Sequence, residues 1–301
     1  MIDLRRLHVL RAVDHYGTVT AAAQALHFTP SAASQQIRQL ARELDVVLLE
    51  PQGRGVRLTP AARSLLAHAD AIEARWEQAE HELRDGDDRP AGLLRLSGFP
   101  IAISNLLAPL AATLRARHPR LTVRIQEAEV PESFNLLFDG EVDLAIIEAT
   151  PENPPRSDGR FDQQPLMDDP FDLVVPDNHP FAARDSVQLA ECVAEDWIVP
   201  LPSCPCWPHV VAACSAVGFT PHVVHRAQEW NATAHLVAHG LGVALVPRLA
   251  LIPPHLPVTR VACAGTPHRK LLTCTRSGAR QRPAVAAALE ELRAHAPTAV
   301  A

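Results

Sequence analysis

Apolar positions near the amino terminus recur at helical spacing in three successive blocks. Leu4, Leu7, Val9, Leu10 and Val13 predict a first amphipathic helix; Ala22, Ala25 and Leu26, at i, i+3 and i+4, a second; Ile37, Leu40 and Leu44, at i, i+3 and i+7, a third. Phe28 and Thr29 mark a tight turn between the last two, with Thr29 placed to cap a helix and Pro30 to begin it. Ala22 and Ala23 carry no bulk, so a crossing helix can come close there. The outer face of the third helix carries Ser31, Ser34, Gln35 and Arg38. Short hydroxyls and an amide near a helix start suit base edges, and an arginine suits a phosphate. The arrangement predicts a helix-turn-helix, a motif that lays its second helix in the DNA major groove. Thr18, Thr20, Thr29 and Pro30, at the two helix starts, complete the candidate contacts on this face.

The pattern then shortens. Residues 46–50 form an apolar run, and PQGRGVRLTP follows with two glycines and two arginines among turn-formers. This reads as a β-hairpin wing, with Arg54 at the tip for a minor groove and Arg57 for a phosphate. Residues 1–58 are thus predicted to form a compact winged unit. They hold seven arginines against five acids, whereas the whole chain stands at −6. So weak a field makes recognition depend on placed contacts and on dimerisation more than on bulk charge.

At Thr59 and Pro60 a longer helix begins. Leu65, Ala69, Ile72, Trp76, Ala79 and Leu83 advance in steps of four and three, a heptad-type seam suited to the same helix of a second subunit. DGDDRPAG, residues 85–92, ends it as a hinge, so residues 59–91 read as a dimerisation linker.

Beyond residue 92 short apolar runs alternate with helical periods. Strands are expected at 92–97, 121–127 and 142–148, with helices at 101–118 and 130–138 between them. This βαβαβ order implies a parallel sheet covered by helices. The proline-rich run at 151–159 interrupts it. A second alternation places strands at 171–175, 197–200, 222–225 and 243–246, and helices at 210–217 and 232–239. A return strand at 270–275 and a last helix at 283–295 close the chain. Two α/β lobes joined by crossovers leave a cleft, and ligands occupy such clefts at strand ends.

These residues together resemble the LysR-type transcriptional regulators. In the first 92 residues the match rests on Leu4, Leu7, Val13, Gly17, Thr20, Ala22, Ala23, Leu26, Ser34, Ile37, Leu40, Leu44, Leu48, Leu49 and Glu50, with Arg57-Leu58-Thr59-Pro60 at the wing's end. In the second half it rests on HLVAHGLGVALVP, residues 235–247, and EVDLAII, residues 141–147. The chain departs from the family where Pro30 and Ser31 stand in place of Gln and Pro, where Gln35 replaces a common Arg, and where Pro51 follows Glu50. The resemblance implies an all-α winged helix-turn-helix, a linker helix and a bilobed α/β effector domain of the periplasmic-binding-protein kind. That domain would span residues 92–301, with lobe I at about 92–161 and 268–301 and lobe II at about 162–267.

It further implies double-stranded operator DNA, a homodimer or homotetramer, and a small-molecule co-inducer held between the lobes. An activator would also meet RNA polymerase. By the same resemblance the effector would touch the loop Ser97, Gly98, Phe99, Pro100 and Ile101, the facing Glu129 and Val130, and the loops holding Ser203, Cys204, Trp230 and Asn231. The first loop feeds a helix start, a natural anion site. Phe99, Ile101 and Trp230 suit a partly apolar ligand.

Six cysteines and fifteen histidines change the picture at one place. SCPCWPHVVAAC brings Cys204, Cys206, His209 and Cys214 close in sequence, which leaves three readings open: packing, a thiol-redox switch, and a metal-responsive site. No leader peptide and no hydrophobic stretch of about 18 residues is seen, so a cytoplasmic chain with reduced thiols is expected. Cys-x-Cys is not a usual zinc spacing, and no resident metal or cofactor is expected. Catalysis is not expected either: the chain lacks a phosphate-binding loop, a nucleophile elbow, an HExxH and a dinucleotide loop, and its single lysine, Lys270, stands apart from any such group.

Overall fold

The computed structural model describes residues 4–52, 55–66, 68–69, 72, 90–266 and 268–295. Its contacts divide the chain into two units. One is Met1–Asp87 with Ser157–Phe161 and Arg276–Arg282; the other holds the remainder.

In the first unit α1 (Leu4–Tyr16), α2 (Val19–Ala25) and α3 (Pro30–Leu44) pack pairwise. Leu7, Val9, Leu10 and Val13 of α1 and Ile37 and Leu40 of α3 are buried, as the periodicity predicts. The middle helix differs from expectation. Ala22 and Ala23 are fully buried, while Ala25 and Leu26 are only half-buried. A seven-residue helix wedged between two others buries the point of crossing, where only a methyl side chain fits, and not a long stripe. Ala33 joins Ile37 and Leu40 in the core, while Leu44 is only half-buried. Thr18 caps α2 by accepting the Ala21 N–H at 3.0 Å, and Thr29 caps α3 by accepting the Ala32 N–H at 3.2 Å, with Pro30 at the first helical position. Between the helices His27 takes φ +57°, a left-handed conformation that costs a non-glycine residue roughly 1 kcal/mol and sets the sharp reversal.

The wing is present: β1 (Leu49–Gln52) pairs antiparallel with β2 (Gly55–Leu58), Glu50 opposite Arg57. Leu48 and Leu58 anchor it by burial. Thr59 then donates to the Val47 carbonyl at 2.7 Å and accepts the Ala62 N–H at 3.1 Å, and residues 60–66, 68–69 and 72 are helical.

The second unit is built on an eight-stranded sheet. Strand β3 (Gly92–Gly98) pairs parallel with both β4 (Leu121–Glu127) and β5 (Leu144–Glu148). The βαβαβ expectation therefore holds for this half. The rest of the sheet is mixed, a correction to the second parallel alternation. β12 (His268–Arg276) runs antiparallel to β5, and β10 (Ala244–Pro247) and β11 (Val258–Ala264) run antiparallel to β6 (Phe161–Pro176). The path is β4-β3-β5-β12-β6-β11-β7, with β7 (Ser186–Gln188) parallel to β11 and β10 also on β6.

Strand β6 begins ten residues earlier than the apolar run at 171–175 suggests. Its first part, FDQQPLMDDP, is polar because positions 164–168 lie largely in solvent. β8 (Asp196–Val199) and β9 (His222–Arg226) form a separate parallel pair. Helix α4 runs from Pro100–Ala102 through a widened π turn, Ile103–Leu107, into Ala108–Arg117. Within it Asn105 donates to the carbonyls of Ile101 and Leu249, at 3.2 and 3.0 Å. Helices α5 (Val130–Phe138), α6 (Cys206–Ala216), α7 (Trp230–Ala238) and α8 (Pro283–His295) complete the unit.

Candidate DNA-binding face and effector pocket

On α3 the exposed residues Ser31, Gln35, Arg38 and Arg42 follow at i, i+4, i+7 and i+11, one stripe along the face opposite Ile37 and Leu40. Ser34 flanks the stripe and is half-buried. Ser31 Oγ lies 3.1 Å from Thr29 Oγ1, so the two hydroxyls at the helix start act as one polar patch. Thr18 and Thr20 are exposed at the start of α2. Arg42 was missed by the sequence reading, although its place in the stripe was visible. Its Nε donates to the Arg38 carbonyl at 3.3 Å, holding it along the helix. At the back, Glu43 takes bonds from Gln39 and Arg6, which hold its carboxyl below the usual carboxylate range and tie α1 to α3.

Arg57 projects from the wing but is engaged by Glu50, at 2.8 to 2.9 Å. A phosphate there would share the guanidinium with that carboxylate. Arg54 lies outside the described residues, as do Trp76, Ala79 and Leu83 of the linker seam. Of the remaining seam positions Leu65 is half-buried, Ala69 buried and Ile72 51% exposed.

The second unit contains a cavity of about 550 Å³, counting its open mouth. Four helices begin on it. Their cap residues Phe99, Glu129, Pro205 and Glu229, and their first residues Pro100, Val130, Cys206 and Trp230, all line the cavity. None of the four caps closes its helix with a side-chain hydrogen bond. Pro100, Pro131 and Pro208 remove one first-turn N–H from three of these helices, and the Trp207 N–H is taken by the Cys204 carbonyl; the N–H groups that remain have no capping side chain, and the positive ends of four helix dipoles converge there. Ile101, Glu148, Cys204, Gln228 and Arg269 complete the wall.

Arg269 is buried to 3% exposure and held on three sides. Its Nε is 2.9 Å and its Nη2 2.8 Å from Asp169 Oδ2, its Nη1 is 3.6 Å from Glu148, and its guanidinium covers the Phe99 ring at 5.1 Å. Burial opposes its charge. Cys206, Asp169 and Glu148 more than offset that and raise its pKa. Glu148, itself 2% exposed, also meets His209 Nε2 at 2.7 Å. The lining cation is therefore already neutralised. Glu129 at the rim has its carboxyl pushed up, first by burial and then by its carboxylate neighbours Glu127, Glu148 and Glu229.

Of the residues expected at this site, Phe99, Pro100, Ile101, Glu129, Val130, Cys204 and Trp230 are brought together. Ser97, Gly98, Ser203 and Asn231 lie off the wall. Ser97 is fully buried and donates to Ser133 Oγ at 3.2 Å. Gly98 serves packing: a Cβ there would lie 3.1 Å from Leu107 Cδ1 and 3.3 Å from Ala102 Cβ. Ser203 and Asn231 turn to solvent. The sequence reading missed Glu148, Gln228 and Arg269. Glu148 ends the apolar run at 142–148 and Arg269 lies just before the run at 270–275, and no local motif marks either.

The thiols also separate. Cys204 and Cys206 both line the cavity, and Arg269 Nη1 is 3.8 Å from Cys206 Sγ. Cys214 is fully buried, eight residues further along α6 and so roughly 12 Å down the helix axis from Cys206. Burial pushes its thiol up to about 11, with the nearby Cys192 adding to the shift. A disulfide from Cys214 to Cys204 or Cys206 would require α6 to unwind. Among the described residues, no group of three His, Cys, Asp or Glu side chains is placed to hold a metal ion.

The two halves each match a known domain. Residues 4–63 match the profile "Bacterial regulatory helix-turn-helix protein, lysR family", and residues 87–297 match "LysR substrate binding domain". The chain belongs to the LysR family. Its members are DNA-binding transcriptional regulators with an effector-binding domain, and the two folds described above are theirs. Curated relatives include a probable RuBisCO transcriptional regulator of Cyanophora paradoxa, 30% identical over 62% of this chain and 57% of that protein. The transcriptional dual regulator GltC of Bacillus subtilis is 26% identical over 82% of this chain and 81% of its own. Among solved structures, a full-length OxyR variant from Pseudomonas aeruginosa superposes with a TM-score of 0.63 at 22% identity, covering 97% of this chain and 98% of that one. Among the described residues no helix is long and apolar enough to cross a membrane.

Proposed function

We propose that the cavity at the four helix starts is the effector site, and that a small molecule bound there alters how an oligomer of this chain sits on its operator. The observation that carries this reading is the convergence of four uncapped helix starts on one cavity whose lining arginine, Arg269, is already paired. Such a wall offers backbone N–H donors, rim carboxylates and the apolar faces of Ile101, Val130 and Trp230. That mix binds and orients a ligand. The ligand expected is small and partly apolar, with a polar end that meets the helix starts.

On the DNA side, Ser31, Ser34 and Gln35 are assigned to base edges and Arg38 to a phosphate. Thr18, Thr20, Thr29 and Arg57 hold the register, with Arg54 reaching from the wing. The linker seam pairs two copies, and contact with RNA polymerase follows if the chain activates. A redox switch through Cys214 is not favoured, because Cys214 is separated from both other thiols by two turns of helix.

The test is a thermal-shift screen of small metabolites against the full chain, each hit being repeated on Trp230→Ala and in an operator-binding assay. A hit that stabilises the native chain, fails on the variant and changes operator occupancy supports the assignment. Hits that stabilise both proteins equally would place the effector elsewhere.

A further inference from the structure

The cavity carries more negative than positive charge, and its positive charge is already matched. Glu129, Glu148 and Glu229 line it together with the guanidinium of Arg269. Arg269 is held by Asp169 and Glu148, and Glu148 also meets His209, so these groups neutralise one another. Glu129 and Glu229 differ. Among the described residues neither carboxyl has a hydrogen bond or an ion pair. Both reach solvent at the rim, each as the cap residue of a helix. The two helices belong to different walls: α5 packs on β3 and β5, and α7 on β8, β10 and β11. Burial and the carboxylates Glu127, Glu148, Glu229 and Glu132 all push the Glu129 carboxyl up. Further negative charge is therefore opposed at this rim, and positive charge is favoured.

We propose that the effector is an organic monoamine whose ammonium lies between Glu129 and Glu229 and whose apolar body rests against Ile101, Val130 and Trp230. The inference rests on the cavity being the effector site.

The other ligand classes fit less well. An anion would draw on the helix starts, but Pro100, Pro131 and Pro208 have no N–H, and the Trp207 N–H is bonded to the Cys204 carbonyl. It would also lie beside two carboxylates that have no counter-charge. A metal ion lacks ligands, since no group of three His, Cys, Asp or Glu side chains among the described residues is placed to hold one. A neutral apolar molecule would cover the rim carboxylates without pairing them, which opposes its binding. An ammonium supplies the missing charge and up to three N–H donors, and its body uses the apolar wall. Because the two carboxylates stand on different walls, a cation between them draws those walls together. That is the differential contact by which a ligand shifts a conformational equilibrium.

The experiment is isothermal titration calorimetry of the full chain with three matched probes, 2-phenylethylamine, 3-phenylpropanoate and 2-phenylethanol. Pentylamine, hexanoate and pentan-1-ol repeat the comparison with an aliphatic body. For at least one body the amine is expected to bind at least tenfold tighter than its acid and its alcohol. In the double variant Glu129→Gln, Glu229→Gln, first shown to melt as the native chain does, that advantage should vanish while the alcohol binds as before. Tighter binding of the acids, equal binding within both sets, no binding of either amine, or an amine advantage that survives in the double variant would overturn the proposal. Trp230→Ala separates this inference from the reading beneath it. An acid or alcohol that binds the native chain and is lost in Trp230→Ala keeps the cavity as a ligand site and rejects the amine. Probes bound equally by both proteins reject the cavity itself. Operator binding is read in parallel: an amine held by both carboxylates with unchanged operator occupancy leaves the ligand class standing and overturns the regulatory reading of the cavity.

Discussion

Replacing Arg269 by methionine keeps the bulk and the contact with Phe99 but removes the charge that two buried carboxylates share. Asp169 is fully buried and would keep only the Leu249 N–H, at 2.8 Å. Glu148, 2% exposed, would keep His209 at 2.7 Å. Removing one partner of a buried ion pair destabilises by about 3–5 kcal/mol, because the remaining charge is stranded in a poor solvent. The retained donors place Arg269→Met near the lower end, about 3 kcal/mol, which is on the order of a 100-fold change in the unfolding equilibrium. Urea denaturation followed by tryptophan fluorescence reads this domain, since Trp197, Trp207 and Trp230 all lie in the second unit. Arg248→Met is the control. That side chain is 43% exposed, and its partner Asp172 also faces Arg260 at 3.5 Å, so its loss should cost no more than about 1 kcal/mol. Equal losses for the two variants, or a loss below about 1 kcal/mol for Arg269→Met, would refute the claim that charge pairing holds the cavity floor.

Ala22→Leu adds three carbons at a helix crossing with no space and should destabilise the winged unit by about 1–3 kcal/mol, read as a lower melting temperature by circular dichroism; an unchanged melt would contradict the close crossing. Gln35→Ala should flatten the preference for the operator over random DNA, whereas Arg38→Ala should weaken both and reduce the salt slope by about one. The roles are reversed if Arg38→Ala alone changes sequence preference. Alkylation of Cys204 should rise with a midpoint near pH 7, because its thiolate is favoured above about 7. Cys206→Ala removes the donating thiol and should move that midpoint up toward the ordinary 9.0; a midpoint already at 9 in the native chain would exclude the thiol–thiol hydrogen bond.

What the chain discloses depends on how local the physics is. The helix cap Thr29, the helix start at Pro30, the core positions Ile37 and Leu40, and the paired wing strands are set by neighbours within a few residues, so they read directly. Strand β5 is a buried apolar run, β3 is buried over its second half and β4 alternates as an edge strand, with helical periods between them, and the parallel order follows. The polar start of β6 hides its pairing, because its ladder is fixed by β12 and not by its own side chains. The cavity was half visible: loops at helix starts announce themselves, as at Phe99, Glu129 and Trp230. Arg269 and Glu148 come from β12 and β5, more than a hundred residues apart in sequence, and meet only through the sheet. Ser97 and Gly98 show the reverse error, since a small residue beside a pocket loop can serve packing alone.

The most direct measurement is a nuclease footprint of the full chain on the DNA upstream of its own gene, at two salt concentrations, with Gln35→Ala run beside the native protein. Protection over several helical turns that retreats at the higher salt, and that spreads or fades in the variant, is expected if the Ser31–Arg38 stripe reads an operator. Identical protection by both proteins would mean that α3 does not read the bases.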